Sequence, residues 1–291
     1  MIARDITITP EILRPLVLHR KDTGHKGDYG HLLIIAGCQS MPGAAVLAAG
    51  AALKSGCGLV TLHSTSRALQ AAVNLFPSAM LSEDPGSCFS ATHLPLSKYS
   101  AIAAGPGLGQ APQTTGALAH LLSASKDEGI PMVLDADALN IIAANRRMTD
   151  SIPEGSVLTP HLGELRRLLP GLDDSNFEGC VSDFSAKTGC ITVVKGFHTQ
   201  IYTPDGICYV NSTGNPGMAK GGSGDVLTGL TGGLIARGYS SRDAALLAVW
   251  IHGCAGDVLS KRYTQEAYNS LDLIGHIWTG FDILINSSFA S

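Results

Sequence analysis

The chain has 291 residues, 45% hydrophobic, 15% charged and 5% aromatic, with 34 glycines, which suits one sizeable α/β domain and excludes disorder or a coiled coil. A formal net charge of −4 leaves no basic footprint for nucleic acid, so the expected partners are small molecules. Seven separated cysteines without a C-x-x-C pair read as small buried hydrophobes of a reducing cytoplasmic compartment. The first residues lack a signal-peptide core, and Arg237, Asp243 and Asp257 interrupt the apolar stretches before they could span a membrane.

Residues 1–25 are set apart as an N-terminal arm, and 26–291 read as a single domain. His31-Leu-Leu-Ile-Ile-Ala-Gly37 predicts a buried strand, followed by an alanine-rich helix from Pro42 to Lys54 that stops at Gly56. Further short apolar runs at 59–62, 100–104, 132–135, 156–159 and 191–194 alternate with helical patterns over 114–123, 139–144 and 161–169. That alternation predicts a mostly parallel central sheet between helix layers. The runs 198–202 and 207–211 flank Thr203-Pro-Asp-Gly206, which predicts a hairpin. Helices are expected over 226–236, 243–259 and 270–284. The sequons at Asn211 and Asn286 are chance matches in a chain with no secretory signal.

The distinctive sequences follow the predicted strands: residues 37–43, Gly105-Pro-Gly-Leu-Gly109, Asp135-Ala-Asp137, Thr159-Pro-His161 and Lys195-Gly196. Ligands of open α/β sheets collect at the carboxyl ends of strands, so these loops should form a single mouth. The densest motif is Asn215-Pro-Gly-Met-Ala-Lys-Gly-Gly-Ser-Gly-Asp225, running into the helical pattern at 226. Free amides at a helix N-terminus favour phosphate, and glycine lets the backbone approach it, so Gly221, Gly222, Ser223 and Gly224 form a candidate anion hole. Asp225 would repel a bound phosphate, which makes it the candidate general base for an attacking hydroxyl. The alternative is a glycine-rich turn with Asp225 as N-cap.

The remaining candidates carry less chemistry on their own. Gly105-Pro-Gly-Leu-Gly109 departs from the dinucleotide fingerprint, because Pro106 lacks an amide proton and Ala111-Pro112 interrupts the helix start; it reads as a turn or as a loop pressing on a ligand. Lys195, at a strand end, is either solvated or a counter-charge for nucleotide phosphate. His161 and Glu164 open a helix, where Glu164 either complements the dipole or serves a magnesium ion through water. The other histidines, Trp250 and Trp278 are read as core or surface residues.

Four ordered motifs resemble those of the ADP-dependent NAD(P)H-hydrate dehydratases, of the ribokinase-like superfamily: residues 43–60, Thr159-Pro-His-Leu-Gly-Glu164, Lys195-Gly-Phe-His-Thr199 and residues 214–225. The resemblance spans nearly all the chain after its first 25 residues. It implies repair of the S epimer of hydrated NADH and NADPH, with ADP as phosphoryl donor and Mg2+ as companion ion. Ala44, Gly107, His161 and Asp225 would then line the hydrated dinucleotide, and Lys195, Gly196, Phe197, His198, Thr199 and Gly224 the adenine nucleotide. His161 matches the ADP-dependent branch, since ATP-using eukaryotic relatives tend to carry Asn there. Cys57 stands where alanine is usual. No epimerase domain precedes these motifs in the sequence, so epimer repair is expected of a separate protein. The apolar, aromatic-poor composition leads us to expect a homo-oligomer. Two rival readings share the glycine loop: a kinase for a vitamin-precursor alcohol, and a catalytically silent nucleotide sensor.

Overall fold

The computed structural model describes residues 4–286. Its strands are β1 (Arg4–Ile8), β2 (His31–Ile35), β3 (Leu59–Ser64), β4 (Met80–Glu83), β5 (Ala101–Ala104), β6 (Met132–Leu134), β7 (Val157–Leu158), β8 (Ile191–Val194), β9 (Gln200–Tyr202) and β10 (Ile207–Asn211). Its helices are α1 (Pro10–Leu13), α2 (Pro42–Leu53), α3 (Ser66–Leu75), α4 (Pro112–Asp127), α5 (Ala136–Ala144), α6 (Leu162–Leu168), α7 (Phe177–Thr188), α8 (Ser223–Ala236), α9 (Ser241–Arg262) and α10 (Ser270–Ile285). One sheet runs in the order β1-β10-β9-β8-β7-β6-β5-β2-β3-β4. Only β9 among these strands is antiparallel to its neighbours, so the sheet is mostly parallel with a hairpin at 203–206.

Alternation across the pleat divides the core. Leu32, Ile34, Ala101 and Ala103 meet residues of α2, α8, α9 and α10 on one face; Leu33, Ile35, Ile102 and Ala104 meet α4 and α5 on the other. Burial on both faces explains why β2 reads as a nearly continuous apolar run. From β2 the chain moves outward to β3 and β4 on one side, then from β5 outward to β8 on the other. The loops leaving β2 and β5 therefore diverge and open a crevice at their carboxyl ends.

Glycine packing places α8 over that crevice. A Cβ at Gly229 would lie 2.0 Å from the Ala48 carbonyl oxygen, and one at Gly232 would lie 3.0 Å from Ala103 Cβ and 3.1 Å from Leu32 Cδ1. Hence α8 rests on β5 and β2 with α2 alongside.

Several expectations change. Within the segment set apart as an arm, residues 4–8 form β1 and pair in register with β10; exposed Asp5 and Thr7 alternate with half-buried Ile6 and buried Ile8, a period-2 pattern of an edge strand. The helix expected from residue 226 begins at Ser223, since serine and glycine are weak helix formers and mask the start. The elements α3, β4 and α7 had no counterpart in the predicted pattern. Asn211 is buried in β10 and donates to the Thr213 carbonyl, which supports a chance sequon; the Asn286 sequon runs outside the described residues. All seven cysteines are free, and five are buried. Among the described residues no helix is long and apolar enough to cross a membrane.

Candidate active site

At the centre of the mouth lies an ion pair between buried Asp135 and half-buried Lys195. Lys195, just past β8, donates through Nζ to Asp135 Oδ1 at 2.5 Å, and the other Asp135 oxygen accepts from Thr228 Oγ1 of α8 at 2.8 Å. The Lys195 amide donates to the Pro160 carbonyl, and His161 and Lys195 form an isolated parallel bridge. Pairing thus continues past β7 and β8 and holds the starts of both loops at one level.

His161 caps α6. Its Nδ1 accepts from the amides of Gly163 (2.9 Å) and Glu164 (3.3 Å), while Glu164 Oε2 accepts from the His161 amide at 2.9 Å. Because Nδ1 is an acceptor, the neutral ring carries its proton on Nε2, which lies 3.4 Å from Glu164 Oε1. Glu164 is buried, and its Oε2 lies 3.8 Å from Lys195 Nζ.

The N-terminus of α8 sits against this cluster. Its cap is Gly222, in the left-handed region at φ 91°, where a Cβ would fall 2.4 Å from Leu47 Cδ1. Asp225 is therefore the third helical residue and not the N-cap, which removes the capping alternative. The amides of Gly222, Gly224 and Asp225 have no backbone or side-chain acceptor among the described residues, as an anion site needs. A Cβ at Gly224 would touch both Asp135 Oδ2 and Lys195 Nζ at 3.4 Å, so the open first turn rests on the ion pair. Burial pushes the Asp225 carboxyl up to about 6, with the Asp135 charge adding to the rise and Lys195 opposing it. Such a group is ionised at neutral pH yet holds a proton far better than an exposed aspartate.

The loop before α8 is held from behind. Asp257 accepts from the Gly214 amide and the Asn215 side chain, Tyr268 donates to Asn215 Oδ1, and Lys220 Nζ donates to the carbonyls of Gln265, Glu266 and Tyr268. Lys220 is thus spent on the loop's own anchorage.

On the β2 side, the Gly37 amide donates to Pro106 O at 2.7 Å, and a Cβ at Gly107 (φ 61°) would lie 2.9 Å from Ala44 Cβ. Ala44 and Leu47 are a helical turn apart on α2, so Gly107, Ala44, Leu47 and Gly222 form a continuous wall leading to Asp225. On the β8 side, Gly196, Phe197, His198 and Thr199 make the turn into β9. Thr199 Oγ1 closes it on the Gly196 carbonyl, His198 takes φ 57°, and Phe197 is 80% exposed with its ring 4.0 Å from that of His198. Ala44 and Gly107, expected at the dinucleotide, therefore lie on one flank of the α8 N-terminus, whereas His161, also expected there, is bridged to Lys195 on the flank of the expected nucleotide residues.

Sequence reasoning passed over three residues. Asp135 reads in the sequence only as part of a strand-end motif, although an acid after one buried strand and a lysine after another are a signal for the pair. Thr228 lies inside an apolar helical pattern and gave none. His252 of α9 is buried, with Nε2 3.3 Å from Ser223 Oγ; burial, helped by the Lys195 charge, lowers it to about 4, so the ring is neutral behind the glycine turn.

The mostly parallel sheet, with a glycine-led helix N-terminus at its crevice, has the fold of a ribokinase-like superfamily protein of Enterococcus faecalis, at a TM-score of 0.84 and 23% identity over 96% of each chain. Within that class the chain belongs to the NAD(P)H-hydrate dehydratase family, whose model matches residues 32–278. It is 37% identical over 280 residues to a bifunctional NAD(P)H-hydrate repair enzyme of Moorella thermoacetica, covering 92% of this chain and 52% of that protein. It is 33% identical over 282 residues to an ADP-dependent (S)-NAD(P)H-hydrate dehydratase of Bacillus subtilis, covering 94% of this chain and 98% of that one. The chain spans about half the length of the bifunctional relatives it matches. A crystal structure of an ADP/ATP-dependent NAD(P)H-hydrate dehydratase from Bacillus subtilis, co-crystallised with ATP/Mg2+, aligns at a TM-score of 0.83 and 30% identity over 96% of this chain and 98% of that chain.

Proposed function

We propose that this chain dehydrates the S epimer of hydrated NADH and NADPH in the cytoplasm, consuming ADP and releasing AMP and phosphate. The observation that carries this reading is Asp225, a carboxylate raised to about 6 in the first turn of a helix whose amides are free. Asp225 takes the proton of the ring hydroxyl as that oxygen attacks the terminal phosphorus of ADP, and AMP leaves. The amides of Gly222 and Gly224 steady the migrating phosphoryl group, and Lys195 meets the nucleotide phosphates. Hydroxide is a poor leaving group and phosphate a good one. The ring-nitrogen lone pair expels phosphate, and loss of a proton from the neighbouring carbon restores the dihydropyridine.

Mg2+ would neutralise nucleotide phosphate charge. The residues fit an ion carried on those phosphates, because Mg2+ needs only one or two protein carboxylates. Asp135 and Glu164, beside Lys195, are placed to hold it through water, and no cluster of three or more His, Cys, Asp or Glu able to hold a metal occurs among the described residues. A homo-oligomer would cover Leu271 and Trp278, which are exposed seven residues apart on α10; light scattering tests this.

The deciding experiment mixes hydrated NADH and Mg2+ with the protein and ADP or ATP, following the near-ultraviolet absorbance of NADH. ADP should support the faster return, with AMP and phosphate formed in equal amounts. A stable phosphorylated alcohol would favour a kinase instead. Nucleotide binding with no turnover would favour a silent sensor.

A further inference from the structure

Beyond the reacting centre, the β2 side of the mouth opens into a cleft of about 500 Å3, whose walls include Cys38, Gln39, Arg67, Ser87, Gly109 and Gln113. That volume suits half of a dinucleotide. The cleft and the wall that leads to Asp225 share the loops leaving β2 and β5. Gly109 follows Gly107, which packs on Ala44, and Cys38 follows Gly37, which is bonded to Pro106. Gly109 is fixed in turn, because its amide donates to Asp137 Oδ2 and Gln110 Nε2 donates to Oδ1 of the same carboxylate.

Arg67 is the single cation among the residues lining the cleft, which include no carboxylate. Its Nη1 donates to the Gln39 carbonyl at 3.1 Å, which ties the guanidinium to the loop leaving β2. Arg67 also lies in the opening turn of α3, where Thr65 provides no side-chain cap. A tethered guanidinium beside neutral amides and hydroxyls can receive phosphate and ribose, and the apolar part of the lining, which includes Leu108 and Ala111, can meet a base.

We propose that this cleft holds the adenosine-bearing half of the hydrated dinucleotide and that Arg67 binds a phosphate of that half. This rests on the function proposed above. Two phosphate sources share the chemistry: the pyrophosphate, common to both substrates, and the 2′-phosphate, present only in the NADPH hydrate. Arg67 does not touch the reacting ring, so it supplies binding equal in ground and transition states.

The test compares wild type with Arg67→Ala and Arg67→Gln in two assays. Kinetics with each hydrate should show KM raised roughly 10-fold or more with kcat little changed, as expected for loss of a charge-assisted hydrogen bond. A rise for both hydrates assigns the pyrophosphate, and a rise confined to the NADPH hydrate assigns the 2′-phosphate. The second assay titrates NADPH itself by its fluorescence, needs no turnover, and should show the same weakening while ADP affinity is unchanged. Unchanged NADPH affinity in both variants overturns the proposal whatever the kinetics show. Absent hydrate turnover in wild type, with NADPH binding still dependent on Arg67, overturns the functional reading and leaves the cleft assignment standing.

Discussion

Two neighbouring carboxylates, Asp135 buried and Asp225 half-buried, differ in role because their surroundings differ. Asp135 has Lys195 and Thr228 as partners, whereas Asp225 has burial and a neighbouring negative charge that raise it to about 6. Turnover should therefore rise with pH through about 6 as Asp225 ionises. Removing the opposing cation with Lys195→Met should move that limb to higher pH, and Asp135→Asn should move it lower; a midpoint that stays put in both variants removes Asp225 from the titration. Asp225→Asn should lower turnover by ~10²–10⁴ while ADP and NADPH still bind. The same substitution has a stability signature. Because the folded carboxyl is raised above its ordinary value of 3.8, ionising it costs the native state free energy that is absent at low pH and fully present above about 6. The Asn variant should thus melt higher than wild type at pH 7 to 8, with the gain fading as pH falls from 6 towards 4. A gain independent of pH would assign the effect to packing.

At the scale of elements, the glycines of α8 separate what was legible from what was not. The strand alternation, the hairpin and the helix following the glycine loop were all readable, because period and turn chemistry are local. The start of α8 was not, since Gly222 acts as cap through its left-handed backbone and offers no side-chain signal. Edge strand β4 has a mostly exposed sequence, and α7 buries only Val181 and Ser185, so neither shows a strong apolar period. The Asp135–Lys195 pair spans 60 positions and depends on sheet order, which no local pattern encodes. Helix packing gives a paired prediction. Ala at Gly229 should destabilise by about 1–3 kcal/mol, since the added methyl meets the Ala48 carbonyl and outweighs the better helix propensity. Ala at Gly116, on an exposed face of α4 with nothing within 4 Å, should stabilise by about 0.5–1 kcal/mol. Thermal unfolding of both variants checks the contrast, and a stabilised Gly229→Ala would mean that α2 and α8 are free to separate.

Across the whole molecule, the residues of the mouth come from the central strands and α8, while β1 lies at one edge of the sheet. Its contribution should be to stability and solubility and not to chemistry. Ile8 is fully buried, Ser212 Oγ donates to its carbonyl, and five residue pairs join β1 to β10. Deleting residues 1–8 would lose the burial of Ile8, on the order of 1.5–3 kcal/mol, and the β1–β10 ladder. It would also bare the edge of β10, a template for pairing with another chain. The truncated protein should melt several degrees lower and aggregate more readily, yet keep normal turnover per folded molecule, because β10 remains held by β9 and the turn at 195–199 lies beyond it. Scanning calorimetry, light scattering and an assay normalised to folded protein read these three outcomes separately. An unchanged melting temperature would mean that β1 adds nothing to the sheet, and turnover lost with the fold intact would give the edge strand a direct part in the site.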